Sequence, residues 1–200
     1  MIDIIFVAVA LVFTIITHEL AHGYIAYLNG DNTAKYAGRL SLNPLKHLDP
    51  MGTLFLIIFK FGWAKPVPID ERNFRNRRLG LFLVSIAGVT INFITAILSI
   101  FIIVAFTPYL GVFIKLLNYL AIYGLFFMVF NLIPIPPLDG SKILASVLPY
   151  KFQYYIYKFE RYFMFLLLAM LFLNRETLFV SRIVNTIYHA IFDAMIALFG

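Results

Sequence analysis

Apolar residues run almost unbroken from Ile2 to Thr17, from about Leu79 to Phe106 and from about Phe113 to Phe130. A helix needs about 20 such residues to cross the hydrocarbon core of a bilayer. The first run predicts a helix over about Ile4–Leu28, closed by the turn signal Asn29-Gly30-Asp31. The second ends at Thr107-Pro108, and two further helices follow over about Phe159–Leu173 and Leu178–Phe199. The pattern predicts an all-α integral membrane protein, a multi-pass helical bundle of about five spans.

Two stretches break this pattern. Between the first and second helices, Lys35–Asn43 alternates: Tyr36, Leu40 and Leu42 fall on one face, Lys35, Arg39 and Ser41 on the other. Such alternation reads as a short strand. Thr53–Phe61 is apolar but too short to span and reads as re-entrant. Gly62-Trp63-Ala64-Lys65-Pro66-Val67-Pro68 reads as an extended, proline-pinned stretch with Trp63 at the interface. Together these predict a small membrane-associated β-hairpin or re-entrant segment after the first helix. The second break is Asn131-Leu132-Ile133-Pro134-Ile135-Pro136-Pro137-Leu138-Asp139-Gly140. Its prolines cannot continue a helix, and open backbone at membrane depth is tolerated where it lines a protein cavity. Ser141–Leu148 can resume as helix.

Composition agrees with the pattern and narrows it. Hydrophobic residues make up 62% of the 200 and charged residues 13%, with mean hydropathy +0.90. A soluble domain is nearer half apolar. The chain reads as a single membrane-embedded domain over 1–200, with a core over about 1–148 and C-terminal helices over about 149–200. It has no cysteine, which excludes disulfides and thiolate metal sites. The start, Met1-Ile2-Asp3, lacks the basic region of a signal peptide, so the first helix is expected to stay. The net charge of +6 is a topology signal rather than a sign of nucleic-acid binding. Lys and Arg concentrate in 31–78 and 142–161, which places those segments in the cytoplasm and the N-terminus outside.

Charge inside the first apolar run is costly and points to function. Thr17-His18-Glu19-Leu20-Ala21-His22-Gly23 contains H-E-x-x-H. Residues four apart on a helix share a face, so both imidazoles can reach one metal ion, and Glu19 between them can serve a water there as general base. The first and third helices run in the same direction. If the proline segment folds back, Asp139 can meet His18 and His22. Two imidazoles and a carboxylate leave one zinc position open, as a hydrolytic site requires. Read alone, Leu138-Asp139-Gly140 is an ordinary turn before a helix.

Other polar residues carry weaker signals. Ser85, Gly88, Asn92, Ala96 and Ser99 give the second helix one small-residue face, suited to close helix packing. Asn92 is a secondary candidate for the same cavity as the motif. His47 reads as a surface or turn residue, with a gating or metal-access role as the alternative. Asn185, His189 and Asp193 form a four-spaced stripe on the last helix, read as satisfied or interfacial rather than as a second metal site.

The chain resembles the site-2 protease family of intramembrane zinc metalloproteases. The resemblance runs from the first helix to about Leu148. Thr17–Gly23 is similar to the family's first metal motif and Asn131–Gly140 to its second. Ser41-Leu42-Asn43-Pro44 through Asp49-Pro50-Met51-Gly52, and Gly62–Pro68, are similar to its hairpin region. Ala87-Gly88-Val89-Thr90-Ile91-Asn92 is similar to its Ala-Gly-Pro-x-x-Asn motif, with Val89 in place of the proline.

The resemblance implies one zinc ion on His18, His22 and Asp139, and cleavage of transmembrane or signal-peptide-derived protein substrates within the lipid bilayer. Asn131 has two readings: a donor to the oxyanion or the substrate backbone, or a brace for the broken helix. Strand edges in residues 34–70 would hold an extended substrate by β-addition. The chain has no room for the PDZ or CBS domain of some members. A regulatory membrane partner or a homo-oligomer stays open. The competing classes are a membrane metal-ion transporter and a catalytically inert metal-binding scaffold.

Overall fold

The computed structural model describes residues 2–47, 49, 52, 65–172 and 175–199. Helix α1 spans Ile2–Leu28 and a single-turn helix α2 spans Thr33–Tyr36. Then come α3 (Arg77–Leu110), α4 (Phe113–Asn131), α5 (Asp139–Val147), α6 (Tyr150–Phe172) and α7 (Arg175–Phe199). The helix α3 is central: α1, α4, α5 and α7 all pack on it.

Its small face makes this packing close. Ser85, Gly88, Asn92, Ala96 and Ser99 are all buried. Gly124 of α4 sits so near that a Cβ there would lie 2.7 Å from the Asn92 carbonyl oxygen. Contrary to the sequence expectation, α3 does not stop at Thr107-Pro108 but runs to Leu110. Pro108 removes only one N–H this close to the end, and Gly111, at φ +50, closes the helix.

Contacts fix the helix directions. The Lys115 ammonium donates to Asp3 Oδ1 at 2.8 Å, so α1 and α4 start at the same end. Val180 and Val184 pack with Val89, Leu125 and Met128. Further along α7, the Tyr188 hydroxyl donates to Asn118 and Phe199 meets Phe101. Thus α7 rises beside α3 toward the end where α1 begins. The start of α7 thus lies toward the opposite end. The helix α6 is held at that opposite end, where the Tyr157 hydroxyl donates to Glu71 at 3.0 Å.

This corrects the count of five spans. Among the described residues four helices are long and apolar enough to cross a membrane: α1, α3, α4 and the Phe179–Phe199 part of α7. The α6 helix begins at Tyr150 rather than Phe159 and carries Lys151, Lys158, Glu160 and Arg161 in its first half. The protein is a multi-pass membrane protein.

The hairpin is corrected too. Lys35–Asn43 forms no strand: Ala37 N–H donates to Thr33 and Arg39 N–H to Ala34, which are helical turns. Gly38, at φ +64, breaks the alternating register. What organises this loop is Asp31, which is fully buried. Its carboxylate accepts from the Thr33 N–H, the Asp70 N–H and the Asn73 side-chain amide, at 3.0, 2.8 and 2.9 Å. Burial pushes the Asp31 carboxyl up, but hydrogen bonds from Thr33, Asn73 and Asp70 together hold it below the usual range. The re-entrant segment Thr53–Phe61 and Trp63 lie outside the described residues.

Candidate metal centre

The H-E-x-x-H run lies in the second half of α1, and both histidines are buried. Their rings stand edge to face, with centroids 4.4 Å apart. Asp139, the first residue of α5, reaches both. Its Oδ2 lies 3.1 Å from His18 Nε2 and 3.2 Å from His22 Nε2, and the two nitrogens are 2.9 Å apart.

Gly140 makes this approach possible. A Cβ there would collide with the carbonyl oxygens of Leu132 and Ile133, so only glycine lets the chain fold back after the proline segment. The fold-back is tied off by Ser141, whose hydroxyl donates to the Leu138 carbonyl at 2.7 Å.

Whether these groups suit a metal ion follows from their hydrogen bonds. His22 Nδ1 lies 2.7 Å from the Val84 carbonyl oxygen. A carbonyl only accepts, so Nδ1 carries a proton, and Nε2 is the nitrogen turned toward Asp139. Asp139 is buried, and its Oδ2 faces both ring nitrogens. Three potential ligand atoms this close together form a set that one cation could bridge. Ligand atoms about 2.0 Å from a tetrahedral zinc lie about 3.3 Å apart, close to the distances seen. Two imidazoles and one carboxylate are a zinc donor set with a position left open. His18, His22 and Asp139 can therefore hold one metal ion.

Residues 6–110 and 107–173 match the model of peptidase family M50. The chain belongs to this family, the site-2 protease group of metalloproteases. It is 43% identical over 152 residues to a Bacillus subtilis protein named "Putative zinc metalloprotease YwhC", covering 72% of this chain and 69% of that one. It is 34% identical over 134 residues to "Putative zinc metalloprotease Rip2" of Mycolicibacterium smegmatis, covering 64% of this chain and 51% of the relative. Rip2 of Mycobacterium tuberculosis is 32% identical over 132 residues, with the same coverage. The match thus spans about half the length of these mycobacterial relatives. No solved structure matches the chain.

The other candidate residues of this M50 chain are placed as follows. One carboxylate oxygen of Glu19 accepts from the Val67 N–H at 2.8 Å. Val67 is buried in an irregular stretch pinned by Pro66 and Pro68. Asn131 donates its side-chain amide to the Phe127 carbonyl at 3.0 Å, four residues back in its own helix.

His47 is not a surface residue: it is buried, Ser41's carbonyl oxygen lies 2.7 Å from its Nε2, and its own carbonyl accepts from Lys65 N–H. Asn185, His189 and Asp193 all lie on the exposed side of α7. The contributions of Val84 and Val67 were not legible beforehand, because both act through backbone atoms that any residue type supplies.

Proposed function

We propose that this protein is an intramembrane zinc metalloendopeptidase, with His18, His22 and Asp139 as zinc ligands and Glu19 as general base. The observation that carries the reading is the convergence of two imidazole Nε2 atoms and a buried carboxylate oxygen within 2.9–3.2 Å of one another, on helices built for a bilayer. A zinc ion held there supplies the Lewis acidity that makes a water nucleophilic toward an amide carbonyl at neutral pH.

The chain's own groups do the rest. Glu19 takes the proton of the attacking water and returns it to the leaving amine. The Val67 N–H holds one oxygen of Glu19 and leaves the other for that proton. Val84 fixes the His22 ring. Asn131, released from Phe127, is in reach of a role as donor to the substrate backbone.

Transmembrane or signal-peptide-derived proteins are the proposed substrates. An apolar groove of about 460 Å³ supports this, running along α1 past Val9, Val12, Phe13 and Ile16 to Thr17, with Leu42 and Pro44 at its edge. A transporter would need ligating groups through the membrane's thickness. Among the described residues a single group of three suits a metal ion.

The test is cleavage of a membrane-spanning substrate by purified protein in detergent. Cleavage is expected to stop on treatment with a zinc chelator and to return with zinc. Cleavage that survives complete metal removal, or zinc flux in proteoliposomes without cleavage, would refute the proposal.

The active site is proposed to face the cytoplasm. Arg72, Arg75, Arg77, Arg78, Lys151 and Arg161 all belong to the end of the bundle opposite the Asp3–Lys115 pair. Reporter fusions within residues 65–78 are expected to report a cytoplasmic location, and an external one would reverse the orientation.

A further inference from the structure

We infer that α3 sets the ring tautomers of both histidines, and that Asn92 is the positioning residue for His18, accepting a hydrogen bond from its Nδ1–H through the amide oxygen. This rests on the zinc reading above and extends it to a helix that supplies no ligand.

Val84, Gly88 and Asn92 are spaced by four, so they lie one above another on a single face of α3. Each meets the histidine pair. The Val84 carbonyl holds His22 Nδ1. Gly88 is the floor under His18: a Cβ there would lie 2.5–2.7 Å from three atoms of its ring. Asn92 is completely buried, and its amide nitrogen, as placed, lies 3.0 Å from His18 Nδ1. The pair of contacts to Nδ1 of both rings leaves Nε2 of both rings facing Asp139.

The amide's orientation decides the chemistry. Its nitrogen and oxygen have nearly the same shape, and either can be turned to the ring. With the NH₂ group on His18, Nδ1 must accept, the ring proton sits on Nε2, and His18 leaves the ligand set. With the oxygen on His18, Nδ1 keeps the proton and Nε2 offers its lone pair beside that of His22. One amide atom is without a protein partner either way, as Oδ1 is now. Hydrogen-bond counting is therefore neutral between the two, and metal ligation by Nε2 selects the oxygen. A ligating histidine held at its second nitrogen by an acceptor is better oriented and more basic, and loss of that acceptor lowers metal affinity about 10–100-fold.

The test compares Asn92→Leu, which removes the acceptor at similar volume, with Asn92→Asp, which keeps an acceptor and removes the donor. Ser99→Ala, on the same face but bonded within its own helix, is the packing control. Zinc affinity is measured on purified protein by competition with a chelator. Asn92→Leu is expected to bind about 10–100-fold more weakly, while Asn92→Asp and Ser99→Ala stay within about threefold of wild type. Wild-type affinity in Asn92→Leu, or an equal loss in Asn92→Asp, would overturn the inference.

If Asn92→Leu does not fold, ¹⁵N spectra of the histidine rings in zinc-loaded wild type decide instead. A proton on Nδ1 of His18 is expected, and a proton on Nε2 would overturn the inference. A wild-type chain that takes up no zinc would refute the metal reading itself, which is a separate result.

Discussion

Glu19→Gln is expected to bind about one zinc ion per chain and still to lose turnover by about 10²–10⁴-fold, the usual contribution of general-base catalysis. The substitution keeps the side chain's volume and one carbonyl oxygen, so the Val67 N–H retains its acceptor. It removes the basic oxygen that takes the proton of the attacking water. The ligand atoms of His18, His22 and Asp139 are unaltered, because Glu19 is not among the three that converge. Elemental analysis of the purified variant, set beside a cleavage assay, separates the roles. Loss of zinc in Glu19→Gln would make Glu19 a ligand. Unchanged turnover would assign the base elsewhere.

Gly88→Ala is the second large effect, and it requires no change to any ligand. The new methyl group would lie 2.5 Å from His18 Cε1 and 2.7 Å from Nε2, so the ring must move. It cannot move far and still keep Asn92 on one nitrogen and Asp139 near the other. Zinc affinity is expected to fall by about 100-fold, the upper end for a disturbed ligand orientation, and cleavage to fall with it. Gly111→Ala is the contrast. Its backbone is strained for any side chain at φ +50, but no atom lies within 4 Å of the added methyl group. It should lower thermal stability modestly and leave zinc affinity unchanged. Equal zinc affinity in Gly88→Ala and wild type would mean that His18 does not sit where the structure puts it.

Much of this site could be read from the chain because its signals are local. H-E-x-x-H fixes two side chains on one helical face by spacing alone. The prolines between Ile133 and Leu138 force a break wherever they fall, and Asp139-Gly140 follows directly. What spacing could not give is the approach of Asp139 to the histidines, which depends on Gly140 passing over the carbonyls of Leu132 and Ile133.

The failures have equally physical causes. The alternation in Lys35–Asn43 spans only nine residues, too few to outweigh the helical turns around Thr33–Arg39 or Gly38 at positive φ. The same loop is held by Asp31, whose partners Asp70 and Asn73 lie about 40 residues away and leave no periodic trace. Apolar length alone made α6 look like a span, although its first half carries four charged residues and Tyr157 bonds Glu71 just before α3. Asn92 was visible as part of a small-residue face. Its contact with His18 depends on the rotation of α3 against α1, which periodicity within one helix does not specify.

The account's central claim is that the proline-interrupted segment completes the metal site. The direct measurement is the zinc content of purified Asp139→Ala, by elemental analysis, against wild type prepared in parallel. Wild type is expected to carry about one zinc ion per chain, and Asp139→Ala, reduced to two imidazoles, well under half of that after dialysis against a weak chelator. Asp139→Ala that retained a full complement of zinc would contradict the account, because the third ligand would then have to lie elsewhere.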